Sequence, residues 1–282
     1  MADKKSIASL FGKGASALGL NDESSSIIIA NLNGGTVPLC GGSPFDEDEG
    51  ASDDSRIIML VVDRSPSMEG VEEEVRNGVN EILVPALLGG AAQEVGILRM
   101  GGISFSCDRK PLWGNSGFVP IKDLPKLDDT LYSTRRGSGT ALHQAILDGV
   151  TALTAYALDV RQKTGSNPEC VLAVLSDGAN NDTPHDEDPV YQVVSRLSPE
   201  LFTTIFIGFE TFERVDFRTI ANALGFREVW DLKKQAGEDE DGLKRRFRHM
   251  MGVFSSQLVK RASSSMVGTK AAKGASTGFW EN

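Results

Sequence analysis

The chain has 282 residues, 40% of them hydrophobic and 24% charged. That composition belongs to a soluble globular protein and leaves room for one α/β domain of roughly 200 residues with extensions. The formal net charge of −10 excludes the basic surface that a phosphate backbone requires, so no nucleic-acid partner is expected.

The segment Met1 to Leu20 starts basic, but Lys13 and several glycines interrupt its apolar residues, so it is not read as a signal peptide. No run approaches the ~18 apolar residues of a membrane span. The cysteines Cys40, Cys107 and Cys170 are far apart and odd in number, which allows neither a disulfide framework nor a zinc spacing. Cys170 precedes an apolar run and is expected to be a small buried hydrophobe. These features together predict a cytoplasmic protein.

Residues 1–23 allow either a short amphipathic helix through Ile7, Leu10 and Phe11 or a frayed tail. Apolar runs on both sides of Asn33-Gly34, from Ser26 to Leu39, predict a β-hairpin. Residues 41–55, with Asp46 to Glu49 and Asp53-Asp54, read as an acidic linker. Residues 1–54 are therefore expected to form an N-terminal extension, with the main domain over 55–262.

Ile57 to Val62 is a short unbroken apolar run rich in β-branched residues, which predicts a strand buried on both faces. It breaks into Asp63-Arg64-Ser65-Pro66-Ser67. Asp63, Ser65 and Ser67 are oxygen donors spaced two apart, so in an extended turn they project to one side. Such a set suits a hard divalent cation; a polar turn capping the next helix is the alternative. Val71 to Leu88 has helical spacing, with Pro85 as a kink or an end. Glu94 to Phe105 reads as a second strand, with Gly101-Gly102 suggesting a bulge or turn. Gly117 to Ile121 reads as a short edge strand. The loop Thr134 to Thr140 leads into a helix from Ala141 to about Gln162, with Thr140 as either a ligand or an N-cap. Cys170 to Leu175 is another apolar strand and ends in Ser176-Asp177-Gly178. A helix from Pro189 to Leu197, a strand from Phe202 to Phe209, a helix from Phe217 to Leu224, a short strand Glu228 to Trp230 and a helix from Leu243 to Val259 continue the alternation. Residues 263–282 are Ser-, Gly-, Ala- and Lys-rich and read as a flexible tail.

The Asp63-x-Ser65-x-Ser67 loop, the Gly-rich loop delivering Thr140 and the Ser-Asp-Gly at Asp177 resemble the three parts of the metal-ion-dependent adhesion site of von Willebrand factor A domains. The resemblance covers about residues 55–262. It implies a Rossmann-like α/β fold, a doubly wound and mostly parallel sheet flanked by helices. It also implies a site of Asp63, Ser65, Ser67, Thr140 and Asp177 around Mg²⁺, or Mn²⁺ or Ca²⁺. Ser65, Ser67 and Thr140 would touch the cation, and the two aspartates would act through bound water or orient the hydroxyls. Neutral donors leave the cation most of its charge, so a partner's Asp or Glu carboxylate completes the octahedron. The expected function is thus a metal-dependent protein–protein interaction module. Pro66 stands where a Gly is common in the family, which removes one backbone N–H.

The single-domain layout and Ser263-Ser264-Ser265 resemble bacterial stress-response members of the tellurite-resistance type. A structural subunit of a large assembly or virus particle is the alternative. An enzyme is not expected. His143, His185 and His249 are scattered, and Gly114-Asn115-Ser116-Gly117 lacks the last position of a nucleophile elbow. The chain has no phosphate loop, and Leu142 spoils the dinucleotide pattern begun by Gly137-Ser138-Gly139. A Mg²⁺-dependent phosphoryl-transfer reaction is the remaining enzymatic reading.

Overall fold

The computed structural model describes residues 9, 11–12, 14–34, 55–89, 98–113, 117–134, 138–178, 180–181, 187–211 and 214–274, with side chains up to residue 260. Its centre is a sheet of seven strands: β1 (Arg56–Asp63), β2 (Leu98–Phe105), β3 (Arg109–Pro111), β4 (Val119–Pro120), β5 (Glu169–Ser176), β6 (Phe202–Phe209) and β7 (Glu228–Leu232). The order is β3-β2-β1-β5-β6-β7, with β4 also paired to β2. The pairs β2–β1, β1–β5, β5–β6 and β6–β7 are parallel, and the short β3 and β4 run antiparallel to β2. This is the doubly wound, mostly parallel α/β architecture expected.

Successive residues of a strand face opposite sides, and β1 uses both sides for burial. Ile57, Met59 and Val61 enter one core, while Ile58, Leu60 and Val62 enter the other. Helices α4 (Leu142–Thr164), α5 (Asp188–Val194) and α6 (Phe217–Ala223) supply the first core. The second is closed by α2 (Glu72–Asn77), a π-helical turn (Gly78–Leu83), α3 (Val84–Gly89) and α7 (Glu240–Gly274). The bidentate pair of Arg248 with the buried Glu74, at 2.7 and 2.8 Å, ties α7 to α2.

Three expectations are corrected. The hairpin predicted around Asn33-Gly34 is, over its described part, helix α1 (Asp22–Asn33). Asn21 caps it by accepting the Ser24 N–H at 2.8 Å, and Asp22 and Glu23 in the first turn complement the helix dipole. Ser24, Ile28 and Leu32 are its buried residues and recur every fourth position, so the isoleucine run packs by helical periodicity. Residues 35–39 of that hairpin and 41–54 of the acidic linker lie outside the described residues. Gly101-Gly102 makes no bulge: β2 pairs continuously with β1 from Leu98 to Phe105. A side chain at Gly102 would meet Leu112 at 2.6 Å and Trp113 at 2.7 Å, so the glycine makes room for them. Finally, α7 runs on to Gly274, so the first part of the stretch read as a tail is helical backbone.

The N-terminal segment is bound to the domain. Leu18, Ile28 and Leu32 are buried in the first core. Leu18 O accepts the Ser198 N–H at 2.8 Å, and the Ser24 hydroxyl donates to Gln192 O at 2.9 Å. Pro85 neither ends nor breaks its helix. The π turn before it is closed by the Val84 N–H on Val79 O, and Pro85, which has no N–H, falls just after this change of ladder.

Candidate functional site

From β1 the chain crosses to β2 on one side and returns to β5 on the other. The carboxyl ends of β1 and β5 therefore flank the point where the winding reverses, the place where open α/β sheets leave a crevice. Asp63 ends β1, and Asp177 follows Ser176, the last residue of β5.

Asp63 is fully buried. Its Oδ1 accepts the Ser65 N–H at 2.8 Å, which folds the loop back on the strand end, and its Oδ2 accepts the Ser176 hydroxyl at 2.6 Å. Tyr132 fixes the backbone by donating to Asp63 O at 2.6 Å. Pro66 opens a single 3-10 turn, Pro66–Met68, where its fixed φ suits the first position. The turn is closed by the Met68 N–H on Ser65 O at 3.0 Å. Ser65 makes no side-chain cap there, so the loop is not a capping turn.

The hydroxyls of Ser65 and Ser67 lie 2.9 Å apart, and Ser67 donates to Asp177 Oδ1 at 2.8 Å. Thr211 donates to Asp177 Oδ2 at 2.6 Å. Asp63, Ser65, Ser67 and Asp177 thus form one continuous polar cluster. Thr140 is tied through its backbone to the loop after Asp177. Its N–H donates to Asn181 Oδ1 at 2.5 Å, and its carbonyl accepts the Asn181 N–H at 3.1 Å. This binds the Thr140 loop to the loop carrying Asp177. The capping position of α4 is Ala141, without a side-chain cap, so Thr140 does not cap the helix. Gly139 before it has φ +68°, a conformation natural to glycine.

The electrostatics are unbalanced. Burial first, and then the charge of Asp177, push the Asp63 carboxyl up to about 7. Burial also raises Asp177, against the hydroxyls of Thr211 and Ser67. Among the described residues no Lys, Arg or His pairs with either carboxylate; Arg64, between Asp63 and Ser65, turns instead to Asp108. Two buried carboxylates and neighbouring hydroxyls form an all-oxygen donor set that suits a hard cation of charge +2. No group of three or more His, Cys, Asp or Glu forms a metal cluster among the described residues, so a cation here would depend on hydroxyls and water.

Sequence reasoning named Ser176 only as part of the Ser-Asp-Gly motif, without its role on Asp63, and missed Thr211, Asn181 and Tyr132. Thr211 lies two residues past the end of β6, and a survey of polar residues just past every parallel strand would have found it. His143 lies in α4, where its backbone N–H reaches Asn180 Oδ1 at 3.3 Å, His249 lies in α7, and His185 is outside the described residues.

No family model and no curated protein matches the chain. Solved structures do. The chain is similar to the VWA domain of SpRpn10, with 12% identity, a TM-score of 0.41 and coverage of 67% of this chain and 93% of that one. It is similar to the manganese-loaded TRAP protein of Plasmodium vivax, with 14% identity, a TM-score of 0.40 and coverage of 71% and 74%. It is also similar to the pilus adhesin SpaC of Lactobacillus rhamnosus GG in its open conformation, with 15% identity and a TM-score of 0.45. There 74% of this chain matches, but it spans only 30% of the adhesin's length. No helix among the described residues is long and apolar enough to cross a membrane.

Proposed function

We propose that this chain is a von Willebrand A-type interaction module that binds a divalent cation and captures a carboxylate of a protein partner. Asp63, Ser65, Ser67, Thr140 and Asp177 hold the cation, Mg²⁺ or in its place Mn²⁺ or Ca²⁺. The cation supplies an electrophilic position for an Asp or Glu side chain of the partner.

The observation that carries this reading is the hydrogen-bonded line Ser65–Ser67–Asp177, backed by Asp63, at the point where the sheet reverses its winding. Asp63 and Ser176 hold the first loop, Thr211 orients Asp177, and Asn181 draws Thr140 toward the same end of the sheet. With hydroxyls and water as direct ligands, the site keeps net positive charge facing outward. The module is proposed to bind rather than to catalyse. The described cysteines, Cys107 and Cys170, are both free thiols, in keeping with a cytoplasmic setting. There the module would serve a stress-response or assembly complex.

The test is titration of Mn²⁺ into the full chain by calorimetry, followed by capture of native partners in Mg²⁺ and in EDTA. Saturable one-site binding lost in Asp177→Ala, with partners retained only in Mg²⁺, supports the reading. Absence of binding, or partners retained equally in EDTA, overturns it.

A further inference from the structure

The turn from Ser106 to Arg109, between β2 and β3, touches both loops of the site. On one side Phe105 O accepts the Arg64 N–H at 2.7 Å, and the Asp108 carboxylate pairs with the Arg64 guanidinium. Arg64 stands between Asp63 and Ser65, so this contact fixes the first loop. On the other side Ser106 O accepts the Ala141 N–H at 2.7 Å, and the Cys107 N–H donates to Ser138 O at 2.7 Å. Those residues flank Gly139 and Thr140. The turn is held in shape by Asp108, whose Oδ1 accepts the Ser106 hydroxyl at 2.8 Å and whose carbonyl accepts the Ser106 N–H at 2.8 Å.

The far end of the turn is anchored in the first core. Arg109 Nε donates to Asp148 Oδ2 at 2.8 Å, and the Asp148 side chain has no exposed surface. Its Oδ1 accepts from Gln144 at 2.9 Å and from Asn31 at 3.1 Å. The Asn31 amide also donates to the Thr151 hydroxyl at 3.1 Å and accepts from Gln144 at 2.9 Å. Asn31 belongs to α1, the N-terminal helix. An unbroken series of polar contacts therefore runs from α1 through Asp148 and Arg109 to the turn, and from the turn to both ligand loops.

We propose that Arg109 and Asn31 are positioning residues for the cation site, and that docking of α1 sets its affinity through the Ser106–Arg109 turn. The inference rests on the functional reading above. Arg109 and Asn31 touch no proposed ligand; they act through the loops that carry Arg64 and Thr140. A buried carboxylate held from three elements is a poor source of net stability but a good source of unique geometry. A hydroxyl-based site, weak by nature, gains most from fixed loops.

The experiment compares full-length wild type with Arg109→Gln, Arg109→Lys, Asn31→Ala and the Asn31→Ala/Arg109→Gln double variant. Mn²⁺ affinity is measured by calorimetry at a temperature where circular dichroism shows every variant folded. Melting is recorded in EDTA. Leu258→Ala, in the second core away from the site, serves as a control for lost stability alone. Asp108→Asn, at a half-buried position, tests the same turn should the Arg109→Gln chain fail to fold.

We expect Arg109→Gln, Asn31→Ala and Asp108→Asn each to weaken Mn²⁺ binding about fivefold to tenfold, the low end of coupling between linked sites. The double variant should be no weaker than the weaker single one, because both cut one series of contacts. Arg109→Lys should recover most of the affinity, and Leu258→Ala should lower melting without changing affinity. Wild-type affinity in the turn and α1 variants overturns the inference and leaves the functional reading standing. Failure of the wild type to bind Mn²⁺ overturns both.

Discussion

The Ser67 hydroxyl donates to Asp177 Oδ1 at 2.8 Å and so joins the loop after β1 to the loop after β5. The contact crosses the reversal of the winding, and Thr211 holds the other oxygen of the same carboxylate from beyond β6. Asp177→Ala removes the acceptor of both. The strands beneath remain paired and their cores intact, so we expect Mg²⁺-dependent partner capture to vanish with the far-ultraviolet spectrum unchanged. Thr140→Ala should do the same. Unfolding of either variant would assign these residues to stability instead.

The buried carboxyl of Asp63 sets a pH dependence in chelator. Its folded value is about 7 against an ordinary 3.8, so between these limits the folded chain binds more protons than the unfolded one. Stability is then fully present below the unfolded value and is lost as pH rises through the folded one. Melting in EDTA should fall from about pH 4 to about pH 7 and then level. With Mn²⁺ present the loss should be reduced, because the cation favours the ionised carboxylates, and Mn²⁺ affinity should rise over the same range. A melting curve in EDTA that rises through this window would refute the burial argument.

Ile28 of α1 is fully buried in the first core. Ile28→Ala leaves a cavity there, and we expect a loss of about 2–5 kcal/mol in denaturant unfolding. A loss below about 0.5 kcal/mol, the range of surface changes, would mean that α1 is not docked in solution.

Gly149 lets α4 approach β1. A Cβ there would meet Val61 Cγ2 at 2.7 Å, two residues before Asp63. Gly149→Ala should cost about 1–3 kcal/mol, as other overpacked cores do. Chemical unfolding reads it directly, and wild-type stability would show that helix and strand can separate freely.

The parts of the site legible in the sequence were those that local pattern carries. Ile57–Val62 and Cys170–Leu175 are unbroken apolar runs that end sharply in polar residues, and this local pattern alone places Asp63, Ser65, Ser67 and Asp177 at strand ends. Phe202–Phe209 was read with its observed bounds. What failed needed partners distant in sequence. Ile27-Ile28-Ile29 carries strong strand propensity, and Asn33-Gly34 strengthened the hairpin reading. Tertiary burial at every fourth residue and the Asn21 cap decided for helix. Gly101-Gly102 signals a break only until Leu112, Trp113 and Phe118 are seen filling the space above it. The contacts of Ser176 with Asp63 and of Thr211 with Asp177 span 113 and 34 residues, beyond any local signal.

The π turn at Gly78–Leu83 explains an oddity of the apolar stripe around it. Val71, Val75, Val79, Leu83 and Leu87 recur every four residues, and all five are buried in the second core. In a regular α-helix each four-residue step overshoots a full turn by about 40°, so such a stripe would rotate by about 160° over its length and leave the sheet. One wide turn sets the rotation back by about 100°. The spacing and the wide turn are therefore interdependent. Deletion of Glu81 alone would restore an ordinary ladder and keep Leu83 and Leu87 facing the second core, because the lost residue and the lost wide turn change the rotation by about 100° in opposite senses. It should cost less stability in chemical unfolding than truncating either buried leucine, which leaves a cavity.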